Sequence, residues 1–269
     1  MPAAMHTDAP RSPIFRLHRG TAPLLVSLPH DGSAIPDALA ARMTPAARRA
    51  PDTDWHVSRL YAFARELGAS ILAPHHSRYV IDLNRPPDDV SLYPGQNTTG
   101  LCPVLRFSGD PVYLPGEEPT PDEIDGRIET YWRPYHDALR DELDRLRAEH
   151  GRLLLWEGHS IRGECPFLFD GRLPDLNIGT ASGTSCAPDR EARIEAALRA
   201  QGDFDWVFNG RFKGGFITRH YGDPANGIDA VQLEIAQRIY MDEATFDYDE
   251  TLAANAQRAI RALIEAALT

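Results

Sequence analysis

The chain has 269 residues, with 28 Lys and Arg against 39 Asp and Glu and a formal net charge of −11. A hydrophobic fraction of 42% excludes a wholly disordered chain, a collagen and a coiled coil, and the acidic balance disfavours nucleic acid as a partner. Neither an apolar run of membrane-spanning length nor a secretory signal pattern is visible, and the three widely spaced cysteines form no CxxC pair, so we expect a cytoplasmic protein without a membrane partner.

The chain shows no internal boundary beyond its polar, proline-containing first dozen residues. We predict a flexible tail over 1–12 and a single domain over 13–269, because no Gly/Ser linker, charge block or repeat divides the remainder.

Short apolar runs and helical patterns alternate in the first third of the chain. Pro23–Pro29 is typical of a buried strand and leads directly into His30. The apolar spacing within Asp54–Leu67 predicts an amphipathic helix that Gly68 ends. Ala69–Pro74 and Tyr79–Leu83 are predicted to be strands.

A long Pro- and Gly-rich segment, Ser91–Glu118, separates this part from a long amphipathic helix. Connections of that length are usually functional, and we expect this one, with Tyr93, Asn97 and Tyr113, to act as a lid. The helix is predicted over Pro121–His150, with a kink at Pro134.

Alternation continues to the C-terminus. The predicted elements are a strand at Arg152–Trp156, a helix near Asp189–Ala200, strands near Asp205–Asn209, Gly215–Arg219 and Ala230–Ile235, and a helix over Asp249–Ala267. This order predicts an α/β fold whose mixed, mostly parallel sheet carries helices on both faces. Ligands in such folds gather at the carboxyl ends of the strands.

Polar side chains follow the predicted strands at these ends. They are His30, the run Asp82-Leu83-Asn84-Arg85-Pro86, His159, and Glu234 within its strand. Two imidazoles and a carboxylate such as Asp54 are the ligands of a catalytic zinc. Each residue also has an ordinary structural explanation, because a lone histidine is more often a core residue and an Asp before a helix is usually an N-cap. Glu157 shares a strand face with His159 and either orients it or forms an ordinary cross-strand pair.

Seven segments, taken in order, resemble the N-formylglutamate amidohydrolase family over about Leu24 to Leu268. They are LLVSLPHDG, DTDWHVSRLY, SRYVIDLNRP, LYPGQNTTGLCP, LLLWEGHSIRG, GGFITRHYG and VQLEIAQRIYMDE. Each motif is short, and the specificity of the match comes from their joint order and spacing.

The resemblance implies a three-layer α/β/α sandwich similar to the zinc-carboxypeptidase and aspartoacylase group. It implies hydrolysis of N-formyl-L-glutamate to formate and L-glutamate in histidine degradation. His30 and His159 match metal ligands of that group, but Ser33 stands where the group has a ligating glutamate. Asp54 is our choice for the missing ligand, with Asp52 and Asp31 as alternatives.

The resemblance also assigns part of the remaining site, and the chemistry of the implied reaction suggests the rest. Glu234 matches the general base, and Asn84-Arg85 match a pair that holds a substrate carboxylate. Arg78 is the candidate cation for the tetrahedral oxyanion. A substrate with two carboxylates needs a second guanidinium, for which we choose Arg219, with His220 as a further donor.

Several alternatives remain open at this point. Ser160 and Cys102 are possible nucleophiles, but neither has a paired base in the sequence, and no GxSxG motif surrounds Ser160. Another N-acyl-amino-acid amidohydrolase and a non-catalytic binding protein for acidic metabolites are the rival functions. Zinc is the favoured divalent ion, although iron, manganese or cobalt suits the same ligands. The sequence does not indicate the oligomeric state.

Overall fold

A computed structural model of the protein describes residues 13–92 and 94–269, so the predicted tail and Tyr93 lie outside the described residues. Its centre is a seven-stranded sheet of order β1-β3-β2-β4-β7-β5-β6. The strands are β1 Phe15–His18, β2 Leu24–Ser27, β3 Ser70–Pro74, β4 Leu153–Ile161, β5 Leu176–Gly179, β6 Trp206–Phe208 and β7 Ile228–Ala236.

The middle of the sheet is parallel. The pairs β2–β3, β2–β4, β4–β7 and β5–β6 are parallel, whereas β1–β3 and β5–β7 are antiparallel. Every residue of β4 and β7 is buried, as expected for central parallel strands that helices cover on both faces. The carboxyl ends of β2, β4 and β7 therefore meet at one edge of the sheet.

Seven α-helices accompany the sheet in the described residues. They are α1 Asp37–Ala40, α2 Val57–Leu60, α3 Pro121–Arg127, α4 Arg133–His150, α5 Pro188–Gln201, α6 Phe216–Tyr221 and α7 Glu250–Leu268. Short 3₁₀ turns lie at Ala47–Arg49, Ala62–Arg65, Ala181–Gly183, Pro224–Asn226 and Gln237–Ile239. None of these helices is long and apolar enough to span a membrane.

Two hydrophobic layers pack against opposite faces of the sheet. Successive strand residues alternate between them: Leu154 lies in the layer formed with α5 and α7, and Leu155 lies in the layer formed with α4. The predicted three-layer α/β/α sandwich around a mixed, mostly parallel sheet is confirmed.

Three predicted elements differ from the structure. Tyr79–Leu83 contains turns and no strand, and its apolar residues are buried because they pack into two hydrophobic clusters rather than pairing within the sheet. Gly215–Arg219 is wrong as a strand: helix α6 begins at Phe216. The helix predicted over Asp54–Leu67 is shorter and broken, since α2 is followed by the 3₁₀ turn at Ala62–Arg65.

The helix predicted over Pro121–His150 is present but changes its winding before Pro134. A π-helical segment, Ile128–Trp132, joins α3 to α4. Pro134 lies in the first turn of α4 directly after this segment, so the change of winding falls where a proline lacks the N–H that an ordinary α-helix would donate to the preceding turn.

His136 of α4 ties this helix to the segment that carries Asp82 and Asn84. Its Nε2 lies 2.9 Å from the carbonyl oxygen of Leu83 and its Nδ1 lies 2.9 Å from the hydroxyl of Tyr221. Burial lowers the pKa of His136 to about 3, so the imidazole is neutral in the folded protein at neutral pH.

This buried imidazole predicts a pH-dependent stability. Because its pKa is below the unfolded value of about 6.5, its contribution is complete above pH 6.5 and is lost as the pH falls towards 3. Between pH 7 and pH 5, His136 alone should lower the free energy of unfolding by about 2 kcal/mol. Urea unfolding should show that the free energy of unfolding decreases less between pH 7 and pH 5 for His136→Gln than for the wild type. Equal decreases would contradict this assignment.

Candidate active site

A buried group of three side chains lies at the carboxyl edge of the sheet. One ligand atom from each of His30, Asp54 and His159 lies within 4.8 Å of the other two. His30 follows β2, His159 lies near the end of β4, and the two ring centroids are 4.8 Å apart. The fold thus brings together all three predicted ligands, which are far apart in the chain.

His30 is held with one nitrogen directed towards this group. Its Nε2 lies 2.7 Å from Asp82 Oδ1, and its Nδ1 lies 3.3 Å from a guanidinium nitrogen of Arg78. A guanidinium only donates, so Nδ1 accepts and the Nε2 hydrogen is donated to Asp82. Burial and then Arg78 lower the pKa of His30, which favours the neutral form that binds metals.

His159 has the same arrangement on the other side of the group. Its Nδ1 lies 3.0 Å from Asp54 Oδ2, and its Nε2 lies 2.6 Å from Glu157 Oε1. Burial alone would lower the pKa of His159, but the charge of Glu157 and the hydrogen bond with Asp54 hold it well above its usual value. Glu157 itself accepts hydrogen bonds from the backbone N–H and the hydroxyl of Thr218, so α6 supports the histidine through it.

Asp54 and its two alternatives have different partners. Asp54 also accepts from the backbone N–H of Ser160, and it does not cap α2. Asp52 Oδ2 accepts from the hydroxyl of Tyr79 at 2.6 Å and from the N–H of Phe107 at 2.8 Å. Asp31 accepts from Ser58 and Arg16. Asp52 and Asp31 are therefore engaged away from the three-residue group.

Glu234 lies on the neighbouring strand, and together with His30, Asp54 and His159 it lines one cavity. It pairs with His159 in the parallel register of β4 and β7, which directs both side chains to one face. The pKa of Glu234 is raised to about 8: burial is the largest cause, His159 and Arg78 oppose the rise, and the charge of Asp54 adds to it. A carboxyl with a pKa near neutrality suits both removal and return of a proton.

Arg78 lies between the histidine and an aromatic ring. It donates to Asp82 Oδ2 at 2.5 Å, and its guanidinium carbon lies 4.7 Å from the centroid of the Phe107 ring. Burial alone would raise the pKa of Asp82, but Arg78 and then His30 hold it well below its usual value. The positive charge is thus fixed beside the metal-ligand candidates.

Asn84 and Arg85 line the cavity next to this group. Asn84 Oδ1 accepts from the backbone N–H of Ile217, which turns its Nδ2 to within 3.1 Å of His159 Nε2. Arg85 donates from Nε to the carbonyl oxygen of Thr99 at 2.8 Å and makes no salt bridge within the described part of the chain.

The structure does not bring Arg219 and His220 to the cavity. Both are exposed at the last turn of α6, and His220 stacks on Phe216. The predicted strand would have carried them to the sheet edge, and its replacement by a helix explains the difference. The cavity wall instead contains Asn97 of the expected lid and residues that were not predicted to belong to the site: Thr98, Phe107, Leu168, Arg211, Phe212 and Gln232.

Among the described residues, neither the Ser160 hydroxyl nor the Cys102 thiol makes a hydrogen bond with a histidine or a carboxylate. Ser160 lines the cavity, but its Oγ accepts from the hydroxyl of Tyr240 at 2.8 Å. Burial raises the pKa of Cys102 to about 11, and its thiol contacts the carbonyl oxygen of Val80. The Ser91–Glu118 segment supplies cavity wall through Asn97, and its role as a lid stays a prediction.

The donor set fits a divalent ion. The Nδ1 atoms of His30 and His159 lie 3.8 and 3.0 Å from Asp54 Oδ2, and the Nε2 of each ring meets a carboxylate, which is how a carboxylate orients a metal-ligating imidazole. The buried carboxylates outnumber the one adjacent guanidinium, so added positive charge would be stabilised here.

Comparisons with known proteins show the family of the chain. The model of the family described as N-formylglutamate amidohydrolase matches residues 22–241. The chain is 50% identical to an N-formylglutamate deformylase of Pseudomonas putida and 51% identical to one of Pseudomonas aeruginosa, each over 95% of this chain and 96% of the relative. A crystal structure of N-formylglutamate amidohydrolase from Ralstonia eutropha has a TM-score of 0.80 at 26% identity, covering 94% of this chain and 97% of that one. The chain belongs to the N-formylglutamate amidohydrolase family.

Proposed function

We propose that this protein hydrolyses N-formyl-L-glutamate to formate and L-glutamate, as a step in histidine degradation. In this proposal His30, Asp54 and His159 hold a divalent ion, with zinc as the first candidate, and Glu234 is the general base. Two imidazoles with one carboxylate leave a coordination position open, which is the pattern of catalytic rather than structural zinc.

The observation that carries the proposal is the convergence of three buried ligand atoms beside Glu234. A site that only bound an acidic metabolite would need guanidinium groups, but it would not need a carboxyl of raised pKa next to metal ligands. The family membership and the names of the two Pseudomonas relatives support the same activity.

Amide hydrolysis requires a better nucleophile than water and a more polar carbonyl group. A bound divalent ion supplies both, because it lowers the pKa of water and acts as a Lewis acid towards the formyl oxygen. Glu234 accepts the proton of the attacking water and returns it to the departing amine nitrogen, so the carboxyl ends each cycle as it began.

Two arginines act on the charges of the substrate. Arg78, fixed by Asp82, supplies positive charge for the oxygen that becomes anionic in the tetrahedral state. Arg85 binds a substrate carboxylate with its terminal nitrogens, while its Nε keeps the hydrogen bond to Thr99. Asn84, whose Nδ2 lies beside His159, donates a further hydrogen bond to the substrate.

A substrate panel with metal analysis tests the proposal. Purified protein reconstituted with Zn²⁺, Mn²⁺, Co²⁺ or Fe²⁺ should release free amine from N-formyl-L-glutamate faster than from N-acetyl-L-aspartate or N-acetyl-L-glutamate, and chelation should abolish the release. Activity confined to N-acetyl amino acids would contradict the assignment of N-formyl-L-glutamate as the substrate and favour the rival N-acyl-amino-acid amidohydrolase. Full turnover after removal of all metal would refute the metal-dependent mechanism.

A further inference from the structure

Two arginine side chains of the cavity wall are attached to the same short loop. Arg85 donates to the carbonyl oxygen of Thr99 at 2.8 Å, and Arg211 donates from a terminal nitrogen to the carbonyl oxygen of Asn97 at 3.3 Å. Because residues two apart in a chain are separated by at most about 7 Å, the two guanidinium groups flank one stretch of the wall. Two guanidinium groups placed in this way can bind a ligand that carries two anionic groups.

Arg211 reaches this position from the far edge of the sheet. It follows β6, which lies three strands from β4, or about 14 Å at the usual strand spacing. The chain then turns back over the sheet: the N–H of Gly215 donates to Gln232 Oε1 at 2.7 Å, and a Cβ at Gly215 would lie 2.2 Å from Asn84 Nδ2. Arg211 Nε also donates to the carbonyl oxygen of Leu168, which fixes the stem of the side chain.

The two arginines have different neighbours. Arg85 directly follows Asn84, whose Nδ2 is 3.1 Å from His159, whereas the hydrogen-bond partners of Arg211 include the carbonyl oxygens of Asn97 and Leu168. We therefore place Arg85 at the end of the cavity that holds the candidate metal ligands. In N-formylglutamate the α-carboxylate is attached to the carbon that bears the formyl nitrogen, whereas the side-chain carboxylate lies beyond two methylene groups. The first must remain near the metal ligands, and the second extends away from them.

We infer that Arg211 binds the side-chain carboxylate of the substrate and determines specificity for glutamate, while Arg85 binds the α-carboxylate. The inference rests on the proposed function. It replaces Arg219, which is exposed on α6 outside the cavity, as the second anchor. Arg78 cannot serve in this way, because it is committed to Asp82.

The test compares two substrates that differ only in the charge of the side chain. Wild type and Arg211→Gln are assayed with N-formyl-L-glutamate and N-formyl-L-glutamine. Loss of hydrogen bonds to a charged group should lower kcat/KM of the variant for the glutamate substrate by about 10- to 100-fold. Its kcat/KM for the glutamine substrate should change by no more than about 3-fold, because no charge is there to be bound.

A matched control and a second variant complete the experiment. Arg219→Gln removes an exposed arginine eight residues after Arg211. Its kcat/KM for both substrates should stay within about twofold of the wild-type value. Arg211→Lys keeps the positive charge and should retain an intermediate preference for glutamate. An equal fall of kcat/KM for both substrates in Arg211→Gln, or no change in kcat/KM for either, would overturn the inference. Failure of the wild type to hydrolyse either substrate would instead overturn the proposed function, and the inference with it.

Discussion

Replacing Glu234 by Gln should lower kcat by about 10²- to 10⁴-fold, the contribution expected of a general acid–base catalyst. The amide has the shape of the carboxyl but accepts no proton, and the residue lies in β7 beside His159 rather than among the three candidate ligands. KM and the bound metal should therefore change little. Steady-state kinetics on N-formyl-L-glutamate, together with elemental analysis of the same preparation, measure both quantities.

The control for this variant is Glu118→Gln, which alters an exposed glutamate outside the cavity and should have wild-type kinetics. Two results would contradict the role of Glu234. Retained turnover would exclude it as the base, and loss of metal together with activity would make it a ligand instead.

Metal content should fall steeply in Asp54→Asn and stay near wild type in Asp52→Asn and Asp31→Asn. Asp54 has an oxygen close to both imidazoles, whereas Asp52 accepts from Tyr79 and Phe107, and Asp31 accepts from Ser58. Loss of a direct ligand should lower metal affinity by more than the roughly 10- to 100-fold that follows loss of a supporting group.

The three aspartates make a matched series, because each substitution removes one charge and keeps the size of the side chain. Elemental analysis after dialysis against a fixed Zn²⁺ concentration gives the metal content, and circular dichroism confirms that each variant is folded. A metal-free Asp52→Asn next to a fully loaded Asp54→Asn would reverse the assignment.

The core of the site was predictable because of where its residues stand in the sequence. His30 and Glu234 adjoin or occupy apolar runs that form parallel strands, and the carboxyl ends of such strands share one edge of the sheet. The spacing of Glu157 and His159 likewise indicated a common strand face, and the hydrogen bond between them follows from it. Asp54 remained one choice of three, because Ser33 stands where the related group has a glutamate and an Asp before a helix is most often an N-cap.

The rest of the site depends on contacts between segments with no local signal. The run from Gly215 to Arg219 contains apolar residues that suit a short strand or a short helix, and only packing against Asn84 and Glu157 selects helix α6. Arg211 follows a three-residue edge strand, and nothing in its neighbours indicates that the chain folds back over the sheet. The short strands β1 and β5 were missed for the same reason: their pairing partners, not their own residues, define them.

The π-helical segment at Ile128–Trp132 already takes up about one residue more than ordinary α-helical winding would hold. Each residue of an α-helix turns the chain by about 100°, so a further inserted residue would rotate α3 about its axis relative to α4. Arg127 would then leave the carbonyl oxygen of Val80 and the hydroxyl of Tyr113, which it binds at 2.9 and 3.1 Å. These contacts hold the segment that leads into Asp82, and an inserted codon would thus act at a distance on the edge of the sheet that carries the candidate site.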